Sequence, residues 1–292
     1  MQSAKYILPV FCALTLASCG NKRDNDKQIL AVSIEPQRQI LEQIAGPSFE
    51  VMTVLGKGAD PETFDPSTSQ RVALEDADIY FATDVLPFED NLRNTLTEHT
   101  RYVPTSGNVR LIYGTHSHDH HSDHNDGDTA GKAVDPHYWS SFEGVGSIAS
   151  SMLDALIDKY PDLETEFRGR YSQFIHTTDS LKERLAEQLA SADYRTFAVW
   201  HPSLSYFARE FSLEQLPLGV EGKDMSAKAL AEAIDHARAD SVKVFFFQPG
   251  IDSRQAEVMN EGIGSKLVAV NLLDYNWPEQ LKYIADEIAR PQ

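Results

Sequence analysis

The hydrophobic residues of this chain form short apolar runs that alternate with amphipathic stretches, the pattern of an α/β protein. Apolar runs at Ile29–Ile34, Phe49–Leu55 and Ile79–Ala82 predict three buried strands. Between the first two strands, apolar residues spaced for one helical face predict a helix: Ile40, Leu41 and Ile44. Strands and helices in this order predict a parallel sheet, in which ligands bind beyond the carboxyl ends of the strands.

The same alternation begins again in the last hundred residues. Three further strands are predicted at Phe197–Trp200, Val242–Phe247 and Leu267–Asn271, and a final helix at Pro278–Arg290. We therefore expect two lobes of similar architecture, with the N-terminal lobe at residues 28–160 and the C-terminal lobe at residues 193–292.

A long amphipathic stretch separates the two lobes. Within residues 161–192, apolar residues recur every three or four positions over roughly 27 residues, which corresponds to about 40 Å of helix. The residues of this face are Leu163, Phe167, Tyr171, Phe174, Thr178, Leu181, Leu185 and Leu189. This pattern predicts one rigid helix that connects the lobes.

The N-terminus has the features of a secretory signal. Lys5 precedes an apolar run at Tyr6–Ala17, which is too short to span a membrane. The run ends in Leu16-Ala17-Ser18-Cys19, which resembles a bacterial lipobox. The resemblance implies removal of residues 1–18 and lipidation of Cys19, followed by a charged tether at residues 19–27. An ordinary signal peptide that contains a cysteine is the alternative.

Composition limits the partners and the chemistry. The chain has 292 residues, 41% hydrophobic residues and a formal net charge of −18, which becomes −19 when Lys5 is removed with the signal. Nucleic acids and anionic lipid headgroups repel so acidic a chain, whereas cations are attracted to it. Cys12 and Cys19 are the only cysteines, so a mature chain beginning at Cys19 forms no internal disulfide. Any metal site inside the globular body must use His, Asp or Glu.

Five histidines fall within nine residues of one polar segment. They lie in a predicted loop at residues 114–131 whose composition is too polar to form a core. Imidazole is a good ligand for zinc, copper and nickel, so this segment is typical of an accessory metal-collecting loop. The histidines are His116, His118, His120, His121 and His124.

Four further residues are candidate ligands of a single ion. His137 lies in the stiff turn Asp135-Pro136-His137, while Glu62, His201 and Asp274 lie at strand ends or in the loops that follow. Two histidines and two carboxylates are sufficient ligands for zinc without cysteine. Their spacing forms no local motif, so separate structural roles for each residue are the alternative.

Several segments together resemble the metal-binding lipoproteins of zinc and manganese ABC importers. They are Asp60–Pro66, Asp135–Trp139, His201–Phe211 and Val242–Gln248, in addition to the lipobox and the His-rich loop. The resemblance implies two Rossmann-like (β/α) lobes, a rigid backbone helix and one metal ion in the interlobe cleft. It also implies that His137, His201 and Asp274 are ligands.

One residue departs from the family pattern, because Glu62 stands where this family usually has histidine. Glutamate still coordinates metals, but a set of two histidines and two carboxylates is harder and favours manganese or iron(II). The His-rich loop favours zinc. Of the other charged residues, Glu89 is interpreted as a surface carboxylate, with an outer role at the metal site as the weaker alternative. Glu221 and Lys223 are interpreted as residues of the cleft entrance, or as simply solvated.

The resemblance implies a membrane-anchored, extracytoplasmic protein, in the periplasm or at the cell surface. It would bind one divalent metal ion, with zinc favoured, and deliver it to an ABC permease. We expect no enzymatic activity and no nucleic-acid partner. The alternatives are a manganese or iron(II) receptor of the same kind, a metal buffer based on the His-rich loop, and a zinc hydrolase with Glu62 as general base.

Overall fold

The computed structural model describes residues 27–114, 133–219, 225–249 and 253–290. These residues form two lobes, each built on a four-stranded parallel sheet with helices packed against it. The strand orders are β2-β1-β3-β4 and β6-β5-β7-β8, so the two lobes share one topology. The predicted α/β architecture with two similar lobes is confirmed.

The N-terminal lobe contains four strands and four α-helices. Its strands are β1 (Gln28–Val32), β2 (Phe49–Thr53), β3 (Ile79–Ala82) and β4 (Arg101–Pro104). Its helices are α1 (Glu35–Ala45), α2 (Thr68–Leu74), α3 (Pro87–Arg93) and α4 (Phe142–Lys159). β1 lies in the middle of the sheet, where Leu30 pairs with Val51 on one side and Ile79 on the other. Leu30 and Ile79 are fully buried, as expected for a sheet covered on both faces.

The C-terminal lobe repeats this arrangement. Its strands are β5 (Thr196–Val199), β6 (Glu214–Pro217), β7 (Val244–Phe247) and β8 (Lys266–Ala269). Its helices are α6 (Ser205–Glu210), α7 (Ala227–Ala239), α8 (Ser253–Ile263) and α9 (Trp277–Ala289). Ala198 of the central strand β5 pairs with both Leu216 and Phe245.

The connecting helix α5 runs over Glu164–Ala190, directly after a single 3₁₀ turn at Pro161–Leu163. It packs against α1 and α4 of the first lobe and against α9 of the second. Its buried residues Phe167, Phe174 and Leu189 belong to one hydrophobic core that extends through both lobes. The predicted long helix is confirmed, and its packing holds the two lobes in a fixed relation.

Among the described residues, β4, β6 and α3 were not predicted from the sequence. β4 and β6 are four residues long and each ends in proline, so their apolar pattern is weak. None of the helices within the described ranges is long and apolar enough to cross a membrane.

Candidate metal site

His137 is held by the carboxylate two residues before it. The turn follows an antiparallel bridge between Tyr113 and Val134 and leads into a single 3₁₀ turn at Tyr138–Ser140. Oδ1 of the fully buried Asp135 accepts hydrogen bonds from the backbone N–H of His137 at 3.0 Å and from its ring Nδ1 at 2.9 Å. Because a carboxylate only accepts, Nδ1 carries the proton and Nε2 keeps its lone pair for a metal ion.

The electrostatics of Asp135 are consistent with this role. Burial raises the pKa of its carboxyl, but the hydrogen bonds and charge of His137 outweigh that effect and leave the pKa below its usual value. Asp135 is therefore ionised at neutral pH. It orients the ring and makes its Nε2 a stronger ligand.

His201 approaches His137 from the other lobe. It lies two residues after β5, beyond the carboxyl end of the central strand. Its Nε2 lies 3.3 Å from Nε2 of His137, and the two rings meet edge-on with their centroids 4.9 Å apart. Two ring nitrogens this close converge on the place where a cation can bridge them.

Glu62 completes a group of three ligands. It belongs to the loop after β2, where Asp60 accepts hydrogen bonds from the backbone of Glu62 and from the hydroxyl of Thr63. Its Oε1 lies 3.4 Å from Nε2 of His201. One ligand atom from each of Glu62, His137 and His201 lies within 4.8 Å of the other two, which makes these residues a group able to hold a metal ion.

Two of the three spacings among these atoms agree with zinc coordination. Ligand atoms about 2.1 Å from an ion, at tetrahedral angles, lie about 3.4 Å from one another. The distances of 3.3 Å between the two histidines and 3.4 Å between His201 and Glu62 match this value.

Asp274 lies near the cleft but outside this three-residue group. It is half-buried in the loop after β8, and its Oδ1 accepts the backbone N–H of Asn276 at 2.7 Å. Together with Glu35, Lys57 and Gln248 it lines a cavity of about 450 Å³ between the two lobes. The structure thus brings three of the four expected ligands together and places the fourth on the wall of the adjoining cleft.

Helix α6 fixes the lobes where the two histidines meet. The hydroxyl of Tyr206 donates to the carbonyl of Asp135 at 2.7 Å and accepts the N–H of Ile112 at 3.1 Å. Glu210 accepts the N–H groups of Phe142 and Glu143 at the start of α4, at 2.7 and 3.2 Å. The helix that follows His201 is therefore bonded to the chain segments on both sides of His137.

A second contact ties the lobes nearer Asp274. The indole Nε1 of Trp139 donates to the carbonyl of Leu272 at 3.1 Å. The ring of Trp139 also lies 5.3 Å from that of His137, centroid to centroid. Trp139 thus links the histidine turn of one lobe with the Asp274 loop of the other.

The interpretation of Glu89 as a surface carboxylate is wrong, because its side chain is only 1% exposed. It occupies the first turn of α3, where it bonds the backbone that enters the helix. Burial raises the pKa of Glu89, while hydrogen bonds from Ser33, Thr83 and Leu86 oppose this rise. An acidic residue near the start of a helix is usually exposed, so the sequence around Glu89 does not predict that its side chain is buried.

Several expected sites lie outside the described residues. They are Cys19, His116, His118, His120, His121, His124, Glu221 and Lys223. Asp135, which lies beside the site, was predicted from the sequence only as part of a stiff turn. A carboxylate two residues before a candidate ligand is the signal that could have identified its role.

The sequence is similar to those of known zinc-uptake proteins. Residues 30–289 match the family model of ZnuA, described as the periplasmic component A of the zinc-uptake complex. The zinc-binding lipoprotein AdcA of Streptococcus pneumoniae strain R6 is 24% identical over 289 residues, which cover 97% of this chain and 57% of AdcA. The chain therefore spans little more than half the length of that relative.

Two further comparisons cover most of both proteins. The high-affinity zinc uptake system protein ZnuA of Bacillus subtilis is 24% identical over 278 residues, covering 90% of this chain and 86% of that protein. A crystal structure of a ZnuA superposes with a TM-score of 0.81 at 27% identity, covering 91% of this chain and 99% of the other.

Proposed function

Because the chain belongs to the zinc-uptake complex component A family, we propose that it binds one divalent metal ion outside the cytoplasm, with zinc favoured, and delivers it to an ABC permease. The observation that carries this proposal is the convergence of Glu62, His137 and His201 from two lobes at zinc-ligand spacing. The metal ion is the cargo of this protein and not a resident cofactor. The relatives named as zinc-binding or zinc-uptake proteins support the same cargo.

The proposed ligand set is Glu62, His137, His201 and Asp274. The histidines supply two neutral nitrogens, and the carboxylates offset the charge of a divalent ion. Asp274 is assigned because it lines a cavity between the two lobes, on a loop joined to the histidine turn through Trp139. Manganese and iron(II) are the alternative cargoes, because two of the four ligands are hard oxygens.

A binding protein fits this site better than a hydrolase does. The family is one of solute-binding proteins for zinc uptake. Oε1 of Glu62 lies 3.4 Å from Nε2 of His201, which is the spacing of two ligands of one ion. A general base does not contact the ion, because it lies on the far side of the metal-bound water. Glu62 is therefore assigned as a ligand of the ion and not as a base.

We assign the N-terminus to membrane anchoring through a lipid on Cys19, and the His-rich loop to collection of metal near the cleft. The lipobox supports the first assignment, as does the name of the pneumococcal lipoprotein. Cys19→Ser should release the protein from membranes or stall its processing, which fractionation of cells followed by immunoblotting measures. Equal membrane retention of variant and parent contradicts the anchor.

The metal site is tested by removing the two histidines one at a time. His137→Ala and His201→Ala should each weaken tight, one-to-one zinc binding at least ~10-fold, since even the loss of a group behind a metal ligand has an effect of this size. Competition with a chromophoric chelator measures the affinity. His99→Ala, which removes an exposed histidine of the same lobe as His137, is the matched control and should bind like the parent. Parent-like affinity in both site variants contradicts the assignment.

A further inference from the structure

A buried polar network lies under the metal site, at the carboxyl edge of the N-terminal sheet. Its side chains are at most 1% exposed, and they belong to Ser33, Thr83, Glu89, Thr105 and Tyr138. We propose that Glu89 and Tyr138 are positioning residues for the metal, because this network fixes the turn that carries His137. The inference rests on the proposed function, since it concerns the same site.

The network begins at the carboxylate of Glu89, which accepts five hydrogen bonds. Oε1 accepts the hydroxyl of Ser33 and the N–H of Thr83, the latter at 2.6 Å. Oε2 accepts the hydroxyl of Thr83 at 2.8 Å and the N–H groups of Val85 and Leu86, both at 3.1 Å. Three of these five donors belong to Thr83 and Val85, so the carboxylate holds the backbone of Thr83 in place.

The carbonyl of Thr83, whose backbone Glu89 holds in place, contacts Tyr138. The hydroxyl of Tyr138 lies 2.7 Å from Oγ1 of Thr105 and 3.2 Å from the carbonyl oxygen of Thr83. Thr105 donates its own proton to the carbonyl of Ala82 at 2.8 Å, so the Tyr138 hydroxyl is the donor to Thr105. The single proton of the Tyr138 hydroxyl is thus shared between two acceptors that follow neighbouring strands, mainly with Thr105 and at longer distance with the carbonyl of Thr83, which Glu89 fixes.

The backbone of Tyr138 is fixed as well. Its carbonyl accepts the N–H of Ser141 at 3.2 Å and the hydroxyl of Ser141 at 2.9 Å. A Cβ atom on Gly144 would lie 1.9 Å from that carbonyl oxygen, so the first turn of α4 packs against the carbonyl without room for a side chain. A residue held at both its ring and its backbone leaves the preceding residue little room to move. His137 therefore stays at the distance from His201 that an ion requires.

This network is separate from the contact that orients the His137 ring. Asp135 sets the rotation and the tautomer of the imidazole, whereas Tyr138 sets the place of the main chain that carries it. Both are needed, because a correctly rotated ligand on a displaced backbone misses the ion. Misplacement by about 1 Å is enough to weaken a preorganised site strongly.

Tyr80→Phe is the matched control for Tyr138→Phe. Tyr80 is equally buried, and its hydroxyl lies 2.7 Å from Oγ of Ser33, but it stands on β3, outside the contacts that run from Glu89 through Thr83 to Tyr138. Each substitution removes one buried tyrosine hydroxyl. A purely structural network predicts the same consequence for both variants.

The test measures three properties of the parent and the two variants. They are the thermal unfolding temperature without metal, the zinc affinity by chelator competition, and the visible absorption spectrum of the cobalt(II)-loaded protein. Both variants should unfold at similarly lowered temperatures. Tyr138→Phe alone should lose about 10-fold in zinc affinity and alter the cobalt spectrum, which reports the geometry of the ligands. Glu89→Gln should follow Tyr138→Phe, because its amide cannot accept all five donors.

Two results overturn the inference. One is a Tyr138→Phe variant with parent-like affinity and cobalt spectrum, and the other is an equal loss of affinity in Tyr80→Phe. If Tyr138→Phe does not fold, Thr105→Val removes the same acceptor and is judged by the same criteria. A parent that binds zinc no better than His137→Ala overturns the proposed function together with this inference, so the two failures are distinguishable.

Discussion

The carboxylate behind His137 provides a direct test of how the site is built. Asp135→Asn keeps the shape of the side chain and an oxygen that can still accept from the ring N–H, but it removes the charge. The variant should fold, because the two hydrogen bonds to His137 can persist with a neutral acceptor. Its metal affinity should nevertheless fall.

The size of the loss follows from the two contacts. A hydrogen bond to a charged group contributes about 1.5–3 kcal/mol, and a bond between neutral groups about half as much. The ring bond is the one that strengthens when a cation polarises the imidazole, so its change of about 0.8–1.5 kcal/mol enters the binding free energy. That energy corresponds to a dissociation constant about 4- to 13-fold larger.

Chelator competition at low ionic strength measures this affinity, and Asp78→Asn is the control. Asp78 precedes β3 at the amino end of the same sheet, where it accepts the hydroxyl of Tyr160 at 3.0 Å. Both substitutions remove one negative charge from the same lobe, so long-range electrostatics affect both in the same direction. If the affinities of the two variants lie within twofold of each other, Asp135 does not act through His137.

Three further predictions concern the loop, the helix contact and pH. Deleting Gly114–Asp128 should abolish weak, rapidly exchanging metal sites and leave the tight site nearly unchanged in a calorimetric titration. The loop sites are expected to be weak because ordering a polar loop around an ion costs ~1–2 kcal/mol per residue. Loss of the tight site on deletion contradicts this prediction. Gly144→Ala should lower both the unfolding temperature and zinc affinity because its Cβ collides with the carbonyl of Tyr138, whereas Gly146→Ala in the same helix has open space and should do neither. Burial raises the pKa of Tyr206 to about 12, so the folded state favours the neutral hydroxyl and the parent should lose stability as pH rises from about 10 to 12. Denaturant unfolding of Tyr206→Phe should show a shallower slope, because other tyrosines with raised pKa values still contribute; an equal slope in both proteins contradicts the role of its hydroxyl.

Sequence reasoning identified most of the fold because strong apolar periodicity marks central strands and long helices. The strand at Ile79–Ala82 was predicted with the bounds that the structure shows, whereas β6 at the sheet edge has too little apolar pattern to be recognised. Glu62 and His201 could be proposed as ligands because residues after strands gather at one edge of a parallel sheet. Their approach to His137 depends on how α6 packs between the lobes, which no local pattern encodes.

The buried acids show the limit of this reasoning. Asp135 and Glu89 have the same chemistry as the many exposed carboxylates of this acidic chain, and only the tertiary structure surrounds them with hydrogen-bond donors. Asp274 was proposed at a strand end as well, yet the structure places it on the cleft wall outside the three-residue group. Its coordination of the ion stays a prediction.

The division of the two histidines between lobes has a consequence for how the ion leaves. His137 and His201 face each other across a gap of 3.3 Å, so widening the cleft by about 1 Å stretches a bond of about 2.1 Å beyond coordinating distance. A partner protein that separates the lobes would thus remove ligands from the ion without supplying competing ligands of its own. The resistance to that motion lies in the bonds from Tyr206 and Glu210 to the opposite lobe, and neither residue is a proposed ligand of the ion. The strength of the metal–ligand bonds and the ease of unloading therefore depend on different residues.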